Sequence, residues 1–384
     1  MSCESVELQD HVSLLSHRPN ILLGAMITIP NPPASPGTEI DAQRSSVGQL
    51  DILPTELLFF VLQALDLKSI SRVSRVSRRG NVIVKSLAAY RDLLDKAPEA
   101  LAALSRTKLL GVHSVTQLQD TLRSDRCATC PEYGTYLFLP TCERCCWECL
   151  YLNPAWRVIS PWQAAKYFGL SKEHLRQLPV MHSIPGRYDI SQENSRTSHK
   201  LVSARIARDL GVLKHGSAEE MAKPVATYKT AIARITLRFL QRSTTGTFRQ
   251  DPLSVPDQGN VPPDRFFGMA AIHFPSVPAP EILENGLWCR GCELTFREYN
   301  DTRSATSAML RIVPQGCDPW RILFGMTRRA RSKVDFLEHM EHCCGAQKLI
   351  RMKETVEGKL PSHIDAVVSA PLGFKDTKIS LNQG

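Results

Sequence analysis

Between Leu50 and Arg79, large apolar side chains recur at helical spacing in the run LDILPTELLFFVLQALDLKSISRVSRVSRR. Pro54 suits a helix start, because its missing N–H would have no partner there in any case. Leu57, Leu58, Val61, Leu62 and Leu65 then make one apolar face rich in large side chains. Asp66 and Ser69 mark a break, after which Leu67, Ile70, Val73 and Val76 recur every three residues. Ile83, Leu87, Tyr90 and Leu94 predict a third short helix. Three helices of this length carry more apolar surface than they can bury among themselves, so the pattern implies a partner.

Elsewhere the pattern is shorter-ranged. Residues 1–49 show little periodicity and contain PNPPASPG from Pro30 to Gly37. They predict a flexible leader with a short extended segment over Ile21 to Ile29. The helical module spans 50–95, and linker helices over Ala97 to Leu110 and Ser114 to Leu122 occupy 96–125. Tyr136 to Leu139, closed by Pro140, predicts a strand, as does Ala270 to Phe274. Ser160 before Pro161 predicts a capped helix, and Ser171 caps another through Leu178. Two helical patterns fill 198–242, split near Gly211 to Ser217; 251–263 is a Pro-punctuated loop, and Val334 to Ile350 is the last clear helix. The expected fold class is mainly α, of α+β type: the helical module, then one mixed helix and short-strand domain over 126–352, then a loose tail at 353–384.

Composition narrows this. With 384 residues, 43% hydrophobic and 22% charged, the chain has material for two or three folded domains. A formal charge of +9 favours acidic partners, although such an excess commonly lies on solvated faces. The start, MSCESVELQD, is acidic and polar, unlike a signal peptide, and no apolar run is long enough to span a bilayer. The expected location is therefore cytoplasm or nucleus, with no membrane.

In a reducing compartment twelve cysteines point to metal binding and away from a disulfide framework. Ten of the twelve fall in tight groups, leaving Cys3 and Cys317 isolated. Zinc asks for four soft ligands in a tetrahedron, and a Cys-x-x-Cys turn supplies two on one side. Cys127 and Cys130 form one such turn; Cys146 and Cys149 follow after fifteen residues, the spacing preferred here over Cys142 and Cys145. A second site is expected from Cys289, Cys292, His339 and Cys343, with His339 and Cys343 four apart on one helix face and Phe336 a turn earlier as a shield. Gly291 would ease the turn. Four protein ligands leave no open position for water, so one or two structural zinc ions are the expectation.

The order of the residues in the helical module resembles an F-box: Leu53, Pro54, Glu56, Leu57, Leu58, Val61, Leu62, Leu65, Leu67, Ile70, Val73, Ser74, Val76 and Arg78 carry the match. The bulky Phe59 and Phe60 depart from the pattern, as does an ending on Gly80 in place of an aromatic residue. Together with Cys127…Cys130, Cys146…Cys149, Ile184-Pro-Gly-Arg-Tyr188, Gly286 to Cys292 and the Phe336 to Cys343 helix, the chain is similar to zinc-cluster-containing F-box proteins of filamentous fungi. That resemblance implies docking on the Skp-type adaptor of an SCF-type (cullin–RING) ubiquitin ligase. The adaptor-binding residues it implies are Leu53, Pro54, Leu57, Leu58, Val61, Leu62, Leu65, Ile70, Val73 and Val76.

The function expected is thus a non-enzymatic substrate receptor whose zinc-containing part holds a target protein. Truncating Leu58, taken as a central anchor, is expected to cost adaptor binding about 2 kcal/mol or more. The rival is a zinc-dependent nucleic-acid-binding or regulatory protein, drawing on Arg72, Arg75, Arg78 and Arg79 and on Arg328, Arg329, Arg331 and Lys333. No P-loop, dinucleotide fingerprint or paired-carboxylate motif points to catalysis.

Overall fold

Serine caps start the helices where the sequence places them. Ser114 accepts from the Gln117 N–H, and the helix Val115–Arg123 follows. Ser160 and Gln163 form a reciprocal capping box ahead of Pro161–Phe168, as do Ser171 and His174 ahead of Lys172–Arg176. The computed structural model describes residues 3–32, 45–222, 231–242, 247–251, 261–279 and 281–355. Among these are nineteen α-helices and twelve strands of two to four residues, a mixed architecture in which helix predominates.

The chain divides into two units. One gathers the described residues of 1–24, 190–192 and 287–384; the other takes those of 25–189 and 193–286. This corrects two expectations. The segment 126–352 is not one domain, because its last part joins the first residues of the chain. Nor is 1–49 uniformly a loose leader. Cys3–Leu15 is a helix, Ser16–His17 pairs antiparallel with Trp288–Cys289, and Asn20–Gly24 is helical. Leu15 and Leu22 in the first unit, and Ala25, Met26, Ile27 and Ile29 in the second, are buried. The backbone of this segment pairs far along the chain, Ser16–His17 with Trp288–Cys289 and Ile27 with Ile272, which local periodicity does not register. Most of the Pro-rich stretch, the middle of the 251–263 loop and the tail beyond 355 lie outside the described residues.

In the larger unit, Thr55–Ala64 and Leu67–Val76 form the first two expected helices. The third predicted helix is in fact two, since Leu87 is extended between Arg78–Ser86 and Ala88–Lys96. Tyr136–Phe138 forms the centre of a three-stranded antiparallel sheet, flanked by Glu143–Cys145 and Ala271–His273. A separate core joins the helices Pro161–Phe168, Ala204–His215 and Ala231–Gln241 through Ala164, Phe168, Ala207, Phe239 and Leu240. The helical pattern expected from 198 starts only at Ala204, because Lys200–Ser203 is a strand between Val158–Ile159 and Met181–His182. In the smaller unit, the expected helix over Val334 to Ile350 breaks at Cys343 into Lys333–His342 and Cys344–Thr355.

Candidate metal centres and docking face

The first cysteine group lies at the hairpin of the larger unit. Cys127 and Cys130 occupy a turn pinned to the sheet by Cys127 N–H donating to Glu132 O at 2.8 Å and Ala128 N–H donating to Arg144 O at 2.9 Å. Cys146 follows the strand Glu143–Cys145 directly and caps the helix Trp147–Leu152, its Sγ accepting from the Cys149 N–H at 3.4 Å. The four ligand atoms of Cys127, Cys130, Cys146 and Cys149 lie within 4.8 Å of one another, and all four residues are buried. A tetrahedron with metal–sulfur bonds of about 2.3 Å has edges of about 3.8 Å; Cys130 and Cys146 are 3.5 Å apart.

Cys142 and Cys145 are buried outside this group. Cys142 takes a left-handed backbone at φ 54°, and Cys145 Sγ is directed at the Tyr136 carbonyl at 3.7 Å. Burial pushes the thiols of both upward, Cys142 to about 12. Within the group, charge is shared unevenly. Hydrogen bonding from Cys130, Cys146 and Cys149 holds Cys127 well below the usual thiol range, while the bonds Cys146 makes with Cys127, Cys130 and Cys149 push it well above. Four thiols this close cannot all ionise without a cation among them, which is what a metal supplies.

The second group belongs wholly to the smaller unit. Cys289 ends the strand paired with Ser16–His17, and Cys292 lies in the first turn of the helix Arg290–Thr302. The backbones of Leu287 and Arg331 exchange two hydrogen bonds of 2.9 Å, and Trp288 Nε1 donates to Arg328 O at 3.2 Å, holding the turn to the downstream segment. The ligand atoms of Cys289, Cys292, His339 and Cys343 again lie within 4.8 Å. Cys292 Sγ is 3.2 Å from His339 Nε2 and 4.0 Å from Cys343 Sγ, which is 3.9 Å from Cys289 Sγ. Cys343 lies one turn after His339, as the spacing suggests: its N–H still donates to His339 O at 3.0 Å, and its sulfur reaches Cys289. The chain leaves the helical path only after Cys343, whose backbone is at φ −82°, ψ 108°. Phe336, one turn before His339, is fully buried, while His342 is exposed and Cys344 is directed to Thr295. Hydrogen bonding from Cys292 and Cys343, with Arg331 acting through its charge, lowers Cys289 well below the usual thiol range. Both groups can hold a metal ion with four protein ligands.

The helix Thr55–Ala64 is apolar on two sides, where the sequence suggested one face. Leu58 and Leu62 are 4% and 1% exposed, as part of the unit's core. Leu57, Phe60 and Val61 are 54%, 76% and 43% exposed and share the opposite stripe, and Leu53, extended before the helix, is exposed as well. Of the ten expected adaptor-binding residues, Leu58, Leu62 and Ile70 are buried and Leu65 and Val73 half-buried; Leu53, Pro54, Leu57, Val61 and Val76 are exposed. Leu58 is accordingly a core residue and not a free anchor. Ile52 at 82% exposure and Phe60 extend the exposed set beyond those the sequence nominated.

The arginine run at 328–331 differs from the expected open basic patch. Arg328 and Arg331 are buried, and the Arg328 guanidinium lies 4.2 Å from the centre of the Phe324 ring. Sequence reading also missed Arg249, which lies against the first cysteine group from a segment more than a hundred residues downstream. No helix among the described residues is long and apolar enough to cross a membrane. No protein-family model matches the chain, and neither the curated proteins nor the solved structures contain a match to it.

Proposed function

We propose that this chain is a non-enzymatic substrate-recognition subunit of an SCF-type ubiquitin ligase, docking on a Skp-type adaptor through the helical module at 50–95. The observation that carries this reading is the stripe Leu57, Phe60 and Val61, left exposed on a helix whose other side already fills the core, with Leu53 exposed just before it. Exposed clusters of large apolar side chains on a soluble surface mark interaction sites. The sequence resemblance to an F-box is what suggests a Skp-type adaptor as the partner of this stripe. Structural zinc is the metal that best suits the two ligand sets, four thiolates in one and three thiolates with an imidazole in the other. The chain then acts by proximity, holding a target protein while other subunits transfer ubiquitin, in the cytoplasm or nucleus. The nucleic-acid reading is less favoured, because Arg328 and Arg331 are too buried to reach phosphates.

The test is co-purification of the full chain with a Skp-type adaptor, beside a Leu57→Ala, Phe60→Ala, Val61→Ala triple variant. Binding by the parent chain and loss in a variant that keeps its metal content supports the reading. A folded, metal-loaded parent chain that does not bind the adaptor removes it.

A further inference from the structure

Four thiolates around a divalent cation leave a net dianion, and every ligand of the first centre is buried. A buried charge of that kind is costly unless a positive group or several donors meet it. Arg249 is placed to do so. Its Nη2 lies 3.7 Å from Cys130 Sγ and 3.9 Å from Cys146 Sγ, and the residue is 2% exposed. One guanidinium nitrogen thereby reaches a sulfur from each of the two cysteine turns.

The backbone around it is tied to the same place. The N–H groups of Phe248 and Arg249 donate to the carbonyl of Thr129 at 2.7 and 3.3 Å, and Thr129 lies between the cysteines of the first turn. The Thr129 hydroxyl is 3.6 Å from Cys127 Sγ and accepts from Trp156 Nε1 at 3.3 Å. So the segment carrying Arg249 is fixed on the turn by its main chain, and the side chain has a defined reach over the sulfurs.

We propose that Arg249 is the counter-charge of the first metal centre and holds its metal by neutralising part of the charge on Cys130 and Cys146. A sulfur that donates electron density to a guanidinium N–H is less basic and less nucleophilic. Acid and competing chelators then displace the metal more slowly. The second centre needs less compensation, since an imidazole replaces one thiolate and its set carries one negative charge fewer. The inference rests on the metal proposed for the first centre, which the metal content of the unaltered chain tests separately.

The experiment follows zinc transfer from the full-length chain to a chromogenic chelator, with Co2+ substitution to tell the centres apart. Co2+ in four thiolates absorbs at longer wavelength than Co2+ in three thiolates and an imidazole. Arg249→Gln is expected to speed release from the four-thiolate centre by about tenfold or more and to leave the other unchanged, as loss of outer partners does at metal sites. Arg249→Lys keeps the charge but shortens the reach, and is expected to fall between. Unchanged release in Arg249→Gln overturns the proposal, as does equal acceleration in the Lys and Gln variants or equal loss from both centres. If the Gln variant fails to fold with zinc while the Lys variant folds and retains it, the charge is confirmed as what matters. If neither folds, the segment's packing is responsible and the proposal falls.

Discussion

Arg144 donates from Nη1 to the Phe274 carbonyl at 3.0 Å and lies over the same residue's ring, 4.8 Å from its centre. The rest of the guanidinium also goes to main-chain oxygens: Gly134 at 2.7 Å, Thr121 at 2.7 Å and Pro275. One side chain thus joins the helix Val115–Arg123, the turn before Tyr136 and the end of the strand Ala271–His273, the frame on which the first cysteine group is built. Burial draws its pKa down to about 10, so it remains a cation at neutral pH, solvated by carbonyls in place of water.

Removing that cation strands several buried acceptors together. Arg144→Leu is expected to destabilise the zinc-loaded protein by about 3–5 kcal/mol. Arg144→Lys should cost nearly as much, because a single ammonium cannot meet oxygens arranged around a planar fork. Urea unfolding checks both; a loss below about 1 kcal/mol in the Leu variant would mean that the network is incidental.

His113 sets a pH limit on the same unit. Its Nε2 is 2.7 Å from the Leu139 carbonyl, which can only accept, so that nitrogen carries the proton. Burial lowers its pKa, and the folded state prefers the neutral ring. A group depressed in this way contributes stability above its unfolded value of about 6.5, and that contribution is lost as pH falls below it towards the folded value. The advantage of the parent chain over His113→Gln should therefore narrow between about pH 7.5 and 5.5, by no more than about 1.4 kcal/mol per pH unit. Parallel pH curves for the two proteins would count against this.

Gly291 and Gly345 let two helices of the smaller unit meet backbone to backbone. A Cβ on Gly345 would lie 2.0 Å from Gly291 O, and one on Gly291 would lie 2.2 Å from Ala346 N. Gly291 is thus needed for close approach, where the sequence suggested only an easier turn. With both centres holding the zinc proposed above, Gly291→Ala is expected to displace Cys343 from Cys289 and Cys292 and to halve the zinc content, from two ions per chain to one. Cys292→Ser should do the same through the ligand itself. Cys142→Ser, outside both groups, should leave two. Elemental analysis of the purified proteins decides, and loss of zinc in Cys142→Ser would show that the first ligand set is wrongly assigned.

What could be read ahead of the structure follows the range of the forces involved. Capping by Ser114, Ser160 and Ser171 is local, and those helices lie where expected. The choice of Cys146 and Cys149 over Cys142 and Cys145 was also legible, because the hairpin length between the turns fixes which sulfurs can converge. Long-range effects were not. The break at Cys343 turns the chain into Cys344–Thr355, whose Gly345 meets Gly291 more than fifty residues away, and no local residue announces it. The pairing of Ser16–His17 with Trp288–Cys289 is long-range in the same way. Arg249 carries no motif at all; only the sulfurs it meets give it meaning.

Leu58 and Phe60 separate the core from the proposed docking face within one helix. Both are large and apolar, two positions apart, and helical spacing by itself does not rank them. Leu58 is 4% exposed and Phe60 is 76% exposed. Leu58→Ala should therefore destabilise the unit by about 2–5 kcal/mol, as buried Leu truncations do. Phe60→Ala should stay within about 0.5 kcal/mol of the parent chain, since nothing is left unfilled behind it. Adaptor affinity should show the reverse pattern once both proteins are measured folded: the Phe60 variant weakened by about tenfold or more, the Leu58 variant close to the parent. A Phe60→Ala that unfolds as readily as Leu58→Ala would place the stripe in the core, and the docking face would lose its surface.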